Sequence, residues 1–116
     1  MRAEIRSIFS SDVQSLEDFR PPEDAFAIPI RLQIGPAGQD GEESFDFTVC
    51  SAAWLNKQVE QMPVFDARHH LVVRDFHWAV IRRYIEGRVS RCVGKDWEEL
   101  AQQLSRFAYW EFEDYS

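Results

Sequence analysis

Between residues 26 and 34 hydrophobic and other positions alternate strictly. Phe26, Ile28, Ile30, Leu32 and Ile34 fall on one side of an extended backbone, with Ala27, Pro29, Arg31 and Gln33 on the other. A period of two is the signature of a half-buried strand. The pattern resumes from Ser44 to Cys50, where Phe45, Phe47 and Val49 alternate with Ser44, Asp46 and Thr48. The intervening GPAGQDGEE, residues 35–43, supplies the Gly, Pro and Asp of a reversing connection, so the two runs predict a hairpin with one apolar face. Pro29 has no N–H for a ladder, which predicts that its strand lies at an edge or is bulged there. Residues 2–9 alternate more loosely, with Ala3, Ile5 and Phe9 set against Arg2, Glu4 and Arg6, and predict a further strand; HLVVR, residues 70–74, predicts a fourth.

The period then changes to that of a helix. Ser51 is a good N-cap for a helix whose stripe, Ala52, Leu55, Val59 and Met62, is expected to be buried, with Trp54 at its margin and Pro63 as its stop. Trp78, Ile81, Ile85, Val89 and Cys92 recur at three or four residues and predict a long helix from His77, closed by Gly94. Gly87 inside it costs about 1 kcal/mol relative to alanine and is expected to permit close packing. Asp96 caps a third helix carrying Trp97, Leu100, Leu104 and Phe107, and Glu99 stands where a capping box needs it. The chain closes on YWEFEDY, a candidate terminal strand whose aromatic rings are expected to dock on the domain. Residues 10–25, rich in Ser, Asp, Glu and Pro, read as a loop in which Val13, Leu16 and Phe19 allow one helical turn. The order strand, strand, strand, helix, strand, helix, helix predicts an α+β fold: a mostly antiparallel sheet of four to five strands with about three helices packed on one face.

Composition narrows this picture. A chain of 116 residues suits one domain, 1–116, and the hydrophobic fraction of 45% is that of a globular protein. With 20 acids against 13 Lys and Arg the formal charge is −7, which disfavours general affinity for nucleic acid or anionic lipid and favours solubility or a basic partner. Cys50 and Cys92 fall on a strand and on a helix stripe, as buried thiols rather than a disulfide or metal pair. Neither a signal-peptide core nor a membrane-spanning run is present, so the expected location is the cytoplasm.

Candidate chemistry is sparse. His69, His70 and His77 match no zinc spacing, and adjacent histidines on a strand point to opposite faces, so ordinary surface or half-buried histidines are expected and no cofactor is. Asp40, Glu42 and Glu43, followed by Asp46, lack the ordered ligand spacing of a calcium loop and read as a polar turn. Arg82, Arg83, Arg88, Arg91 and Lys95 make the long helix locally basic, as a solvated face. No nucleophile elbow, Walker loop or dinucleotide fingerprint occurs, so no positive sign of an enzyme exists. Aromatic residues beside carboxylates in YWEFEDY suit recognition of a basic protein surface, with buried rings supplying affinity and charges steering approach.

In their order and spacing, MRAEIRSIFSSD, ESFDFTVCSAAWL, HHLVVRDF, YIEGRV, DWEEL and YWEFEDY together resemble the immunity protein 8 family of bacterial polymorphic-toxin systems, over nearly the whole chain. The resemblance implies a cytoplasmic antidote that binds a cognate toxin domain and blocks its active site or substrate surface. It implies no catalytic motif, toxin chemistry or set of contact residues. From charge alone, the candidate toxin-binding residues are Asp40, Glu42 and Glu43 on the hairpin connection and Glu111, Glu113 and Asp114 in the tail, facing a basic cleft. A non-toxin adaptor module and a small metal-dependent hydrolase are the competing readings. Homodimerisation through a free strand edge stays open.

Overall fold

The alternation of residues 26–50 becomes the centre of a five-stranded mixed sheet in the computed structural model, which describes residues 1–113. In chain order the elements are β1 (Ala3–Phe9), β2 (Ala27–Pro36), β3 (Glu43–Ser51), α1 (Ala52–Gln61), β4 (His70–Val73), α2 (Trp78–Ser90), α3 (Trp97–Leu104) and β5 (Tyr109–Trp110). The strands lie in the order β1-β2-β3-β4, antiparallel except for the β3–β4 pair, and β5 runs antiparallel to β3 beside Phe45 and Asp46. β4 and β5 therefore share one side of β3, each along a different half. The α+β expectation holds.

Register explains the core. Ile28, Ile30 and Leu32 lie opposite Val49, Phe47 and Phe45, so all six share one face, and all are buried. α2 covers this face with Trp78, Ile81, Ile85 and Val89, and α3 with Leu100, Ala101 and Leu104. Asp96 caps α3 by accepting from Glu99 N at 2.9 Å, as its sequence position predicts. Gln103 joins the α2–α3 connection to α3: its amide donates to Val93 O at 2.6 Å and accepts from Val93 N at 3.2 Å. Both cysteines are free and buried, and burial pushes the Cys50 thiol pKa up.

Four expectations need correction. A bulge between Ile5 and Ser7 shifts the β1 register, so Ile8 lies opposite Leu32 on the core face while Phe9 lies opposite Arg31 on the other. β2 is an interior strand despite Pro29, because β1 ends at Phe9 opposite Arg31 and leaves nothing beside Pro29 to require an N–H. α1 buries none of its residues: Val59 and Met62 are exposed, and the helix is anchored instead by Trp54, stacked on His70 with ring centroids 5.8 Å apart. The core face was already covered by α2 and α3. Finally, a Cβ on Gly87 would have nothing within 4 Å, whereas one on Gly94 would meet Leu100 N at 2.9 Å; close packing belongs to Gly94.

Candidate partner-binding surface

The hairpin connection is held by backbone chemistry. Gly38 and Gly41 adopt φ of 77° and 103°, and Gly35 lies so close to the Gly41 carbonyl that an added Cβ would stand 2.0 Å from it. Arg6, at the β1 bulge, donates to Pro36 O at 2.9 Å and Gln39 O at 2.5 Å and pairs with Glu4. Asp40 and Glu42 are exposed on this clamped connection, and no described residue pairs with their carboxylates.

Pairing of β5 with β3 brings the acidic tail to the same corner. Glu111 N donates to Ser44 O at 3.1 Å, and Ser44 N donates back to Glu111 Oε1 at 2.8 Å, across 67 positions of sequence. Glu43 accepts from the indole N–H of Trp97 and, at 3.3 Å, from that of Trp110. Trp110 also stacks on Phe45 with an interplanar angle of 10°, and Phe112 stands edge-on to Trp110 at 6.0 Å. The docking expected of the tail aromatics is met by Trp110, which is half-buried, and less by Tyr109 and Phe112, which are 42% and 40% exposed. Glu113 sits between Arg68, 3.2 Å from it, and His69, 3.7 Å away. Asp114 lies outside the described residues.

The six acids named from sequence thus divide. Asp40 and Glu42 stand free at the surface, while Glu43, Glu111 and Glu113 also tie the tail to the sheet. Glu98, in the first turn of α3 beside Trp97, is a further exposed acid.

Next to this corner, the sheet face opposite the core carries a shallow groove of about 430 Å³. Phe9, Pro29 and Tyr109 give its apolar walls, and Arg31 crosses it to Asp46 through two bonds of 2.8 Å. That bond and charge hold the Arg31 guanidinium above its ordinary pKa, with Glu111 adding a smaller contribution. Sequence reasoning missed this groove because the bulge at Arg6 is what turns Phe9 toward it. His69 closes one end at φ 60°, a left-handed conformation that costs a non-glycine residue about 1–2 kcal/mol. Neither ring nitrogen of His69 has a hydrogen-bond partner among the described residues. His70 is in β4, as predicted, and no group of His, Cys, Asp and Glu among the described residues could hold a metal ion.

What the corner offers chemically is charge on a rigid backbone frame, bordered by aromatic rings: the makings of a surface for contact with another protein. The family model for Immunity protein 8 matches residues 3–115, and the chain belongs to that family. The comparisons with curated proteins and with solved structures return no match. No described helix is long and apolar enough to cross a membrane.

Proposed function

We propose that this immunity protein acts in the cytoplasm as a non-enzymatic antidote, binding a cognate toxin domain and covering its active site or substrate surface. The observation that supports the reading is the convergence of two acidic segments, from the hairpin connection and from the tail, on one corner of the sheet. Against a basic toxin surface, Asp40 and Glu42 supply steering charge from the clamped connection. Glu43, Glu111 and Glu113 belong to the same proposed contact surface while fixing its shape, and Asp114 is proposed to extend it. The net charge of −7 favours approach to such a partner and disfavours direct contact with nucleic acid or anionic lipid.

Co-expression tests this directly. The toxin domain encoded beside this protein is produced in a susceptible cell with and without it, and the purified pair is passed over a sizing column. Rescue of growth with a stable one-to-one complex is the expected result. Absence of both, with each protein folded, would remove the antidote reading.

A further inference from the structure

His69 combines three features that a folded chain ordinarily avoids. Its backbone is left-handed at φ 60°, its side chain is only 11% exposed, and neither ring nitrogen has a hydrogen-bond partner among the described residues. The same lack holds for Oε1 of Glu113, which is buried 3.7 Å from His69 Nε2. Buried polar groups are ordinarily paired, because an unpaired one forgoes the hydrogen bonds it would make in water. Here a nitrogen and an oxygen face each other, slightly too far apart to bond.

The tail supplies that oxygen. β5 brings Tyr109 edge-on to His69 at 6.3 Å, and the turn that follows, closed by Glu113 N donating to Trp110 O at 2.9 Å, sets Glu113 beside the ring. β5 is two residues long, so side chains add to the tail's hold on the sheet: Glu111 on Ser44, Trp110 on Glu43, and Glu113 at His69.

Charge decides what the last of these contacts does. Glu113 is the one carboxylate at ion-pair distance from His69 among the described residues, and its other oxygen lies 3.2 Å from Arg68, a side chain 61% exposed. Asp46, across the groove, is engaged by Arg31 through two bonds, and Arg106, from the turn after α3, is exposed to solvent. Tyr109 and Tyr84 contribute uncharged phenols. His70 is occupied otherwise, stacked on Trp54 and bonded through Nδ1 to Arg68 O at 2.8 Å, and His77 is exposed at the start of α2.

A neutral His69 ring leaves the Glu113 oxygen unpaired across the gap. An imidazolium draws it in, since a charge-assisted N–H···O bond closes to about 2.8 Å. The adjoining carboxylate compensates the charge that burial would otherwise disfavour, and Arg68 and Arg106 oppose it weakly because both are solvated. Imidazoles change charge between about pH 5 and 8, so this contact responds to protons in a range where the other ties of the tail do not.

We infer that His69 and Glu113 form a proton-operated latch. With the ring charged, it ties the tail to the entrance of β4; with the ring neutral, the tail is held by β5, Glu111 and Trp110 alone. The tail bears part of the proposed toxin surface, so the latch sets how firmly that part is presented. That consequence rests on the antidote reading, whereas the latch itself does not.

Two-dimensional amide spectra of the intact protein, recorded from about pH 7.5 to about pH 5.5, provide the test. The His69 ring protons report its charge, and solvent exchange of the Glu111 and Glu113 amides, corrected for intrinsic rates, reports tail docking. Protection of both amides is expected to rise about tenfold toward the acid end, in step with protonation of His69. His69→Asn suits the left-handed backbone without a titratable ring and should remove the dependence. Glu113→Gln should remove it from the other side of the contact, and His77→Asn should leave it intact. Protection that is unchanged across the range or falls toward acid would overturn the proposal. So would a response that survives in His69→Asn or Glu113→Gln, or one that is lost in His77→Asn. The assay contains no toxin, so its outcome is independent of the antidote reading.

Discussion

Glu43 lies at the junction of hairpin, α3 and tail, and Glu43→Ala separates a structural carboxylate from a contact one. Its two oxygens accept from Trp97 and Trp110, and those indoles flank Phe45 on the core face. Hydrogen bonds to a charged group contribute about 1.5–3 kcal/mol each. Glu43 is only half-buried and the two bonds share one anchor, so the loss is set at the low end, about 2 kcal/mol in all. With a urea m-value of about 1.5 kcal/mol/M for a small domain, the unfolding midpoint should fall by about 1.3 M at unchanged slope. Urea titration followed by tryptophan fluorescence is the natural assay, because the reporting rings are the ones released. Glu43→Gln keeps one carbonyl acceptor and should lie about halfway. A midpoint within about 0.3 M of wild type would refute the reasoning, since that is below about 0.5 kcal/mol.

Three further outcomes follow from the fold. Ser51→Ala should cost about 2–3 kcal/mol in chemical unfolding, because Ser51 Oγ is buried and accepts from both Trp54 N and Phe26 N, at 3.2 and 3.1 Å; Ser51→Thr should retain most of that stability. Leu32→Ala, at a fully buried position in the centre of the sheet, should cost about 2–5 kcal/mol by the same measurement. The folded Cys50 thiol has a raised pKa, so its contribution to stability is complete below the unfolded thiol value of about 8.5 and is lost as pH rises toward the folded value. Unfolding midpoints of wild type should therefore decline above that pH more than those of Cys50→Ala.

Local signals carried much of this architecture. Strict alternation located β2 and β3, Ser51 and Asp96 marked helix starts, and the Trp78–Val89 spacing identified the buried side of α2, because each depends on neighbours a few positions away. What escaped was decided by distant partners. The bulge at Arg6 inverts the facing of Phe9 without any glycine or proline to announce it, and so conceals the groove. α1 has the apolar spacing of a core helix, yet the core face is filled by α2 and α3, which come later in the chain. Pro29 is tolerated in an interior strand through the length of β1, which its own sequence neighbours do not encode. At the candidate site, acidity was legible but use was not. Glu43 and Glu111 look like Asp40 and Glu42 in sequence, and only the approach of Trp97, Trp110 and Ser44 distinguishes carboxylates that hold the corner together from those that stand free.

The central claim is that an acidic corner captures a basic toxin surface, and the association rate tests it most directly. Stopped-flow mixing of the toxin domain with wild type and with Asp40→Asn plus Glu42→Gln, over a range of salt concentrations, reads the steering charge without disturbing the ties at Glu43, Glu111 and Glu113. The account predicts slower association for the double variant, by about three- to tenfold at low salt, with a flatter salt dependence and little change in dissociation. Equal association rates at every salt concentration would contradict it and move the toxin contact to another face of the molecule.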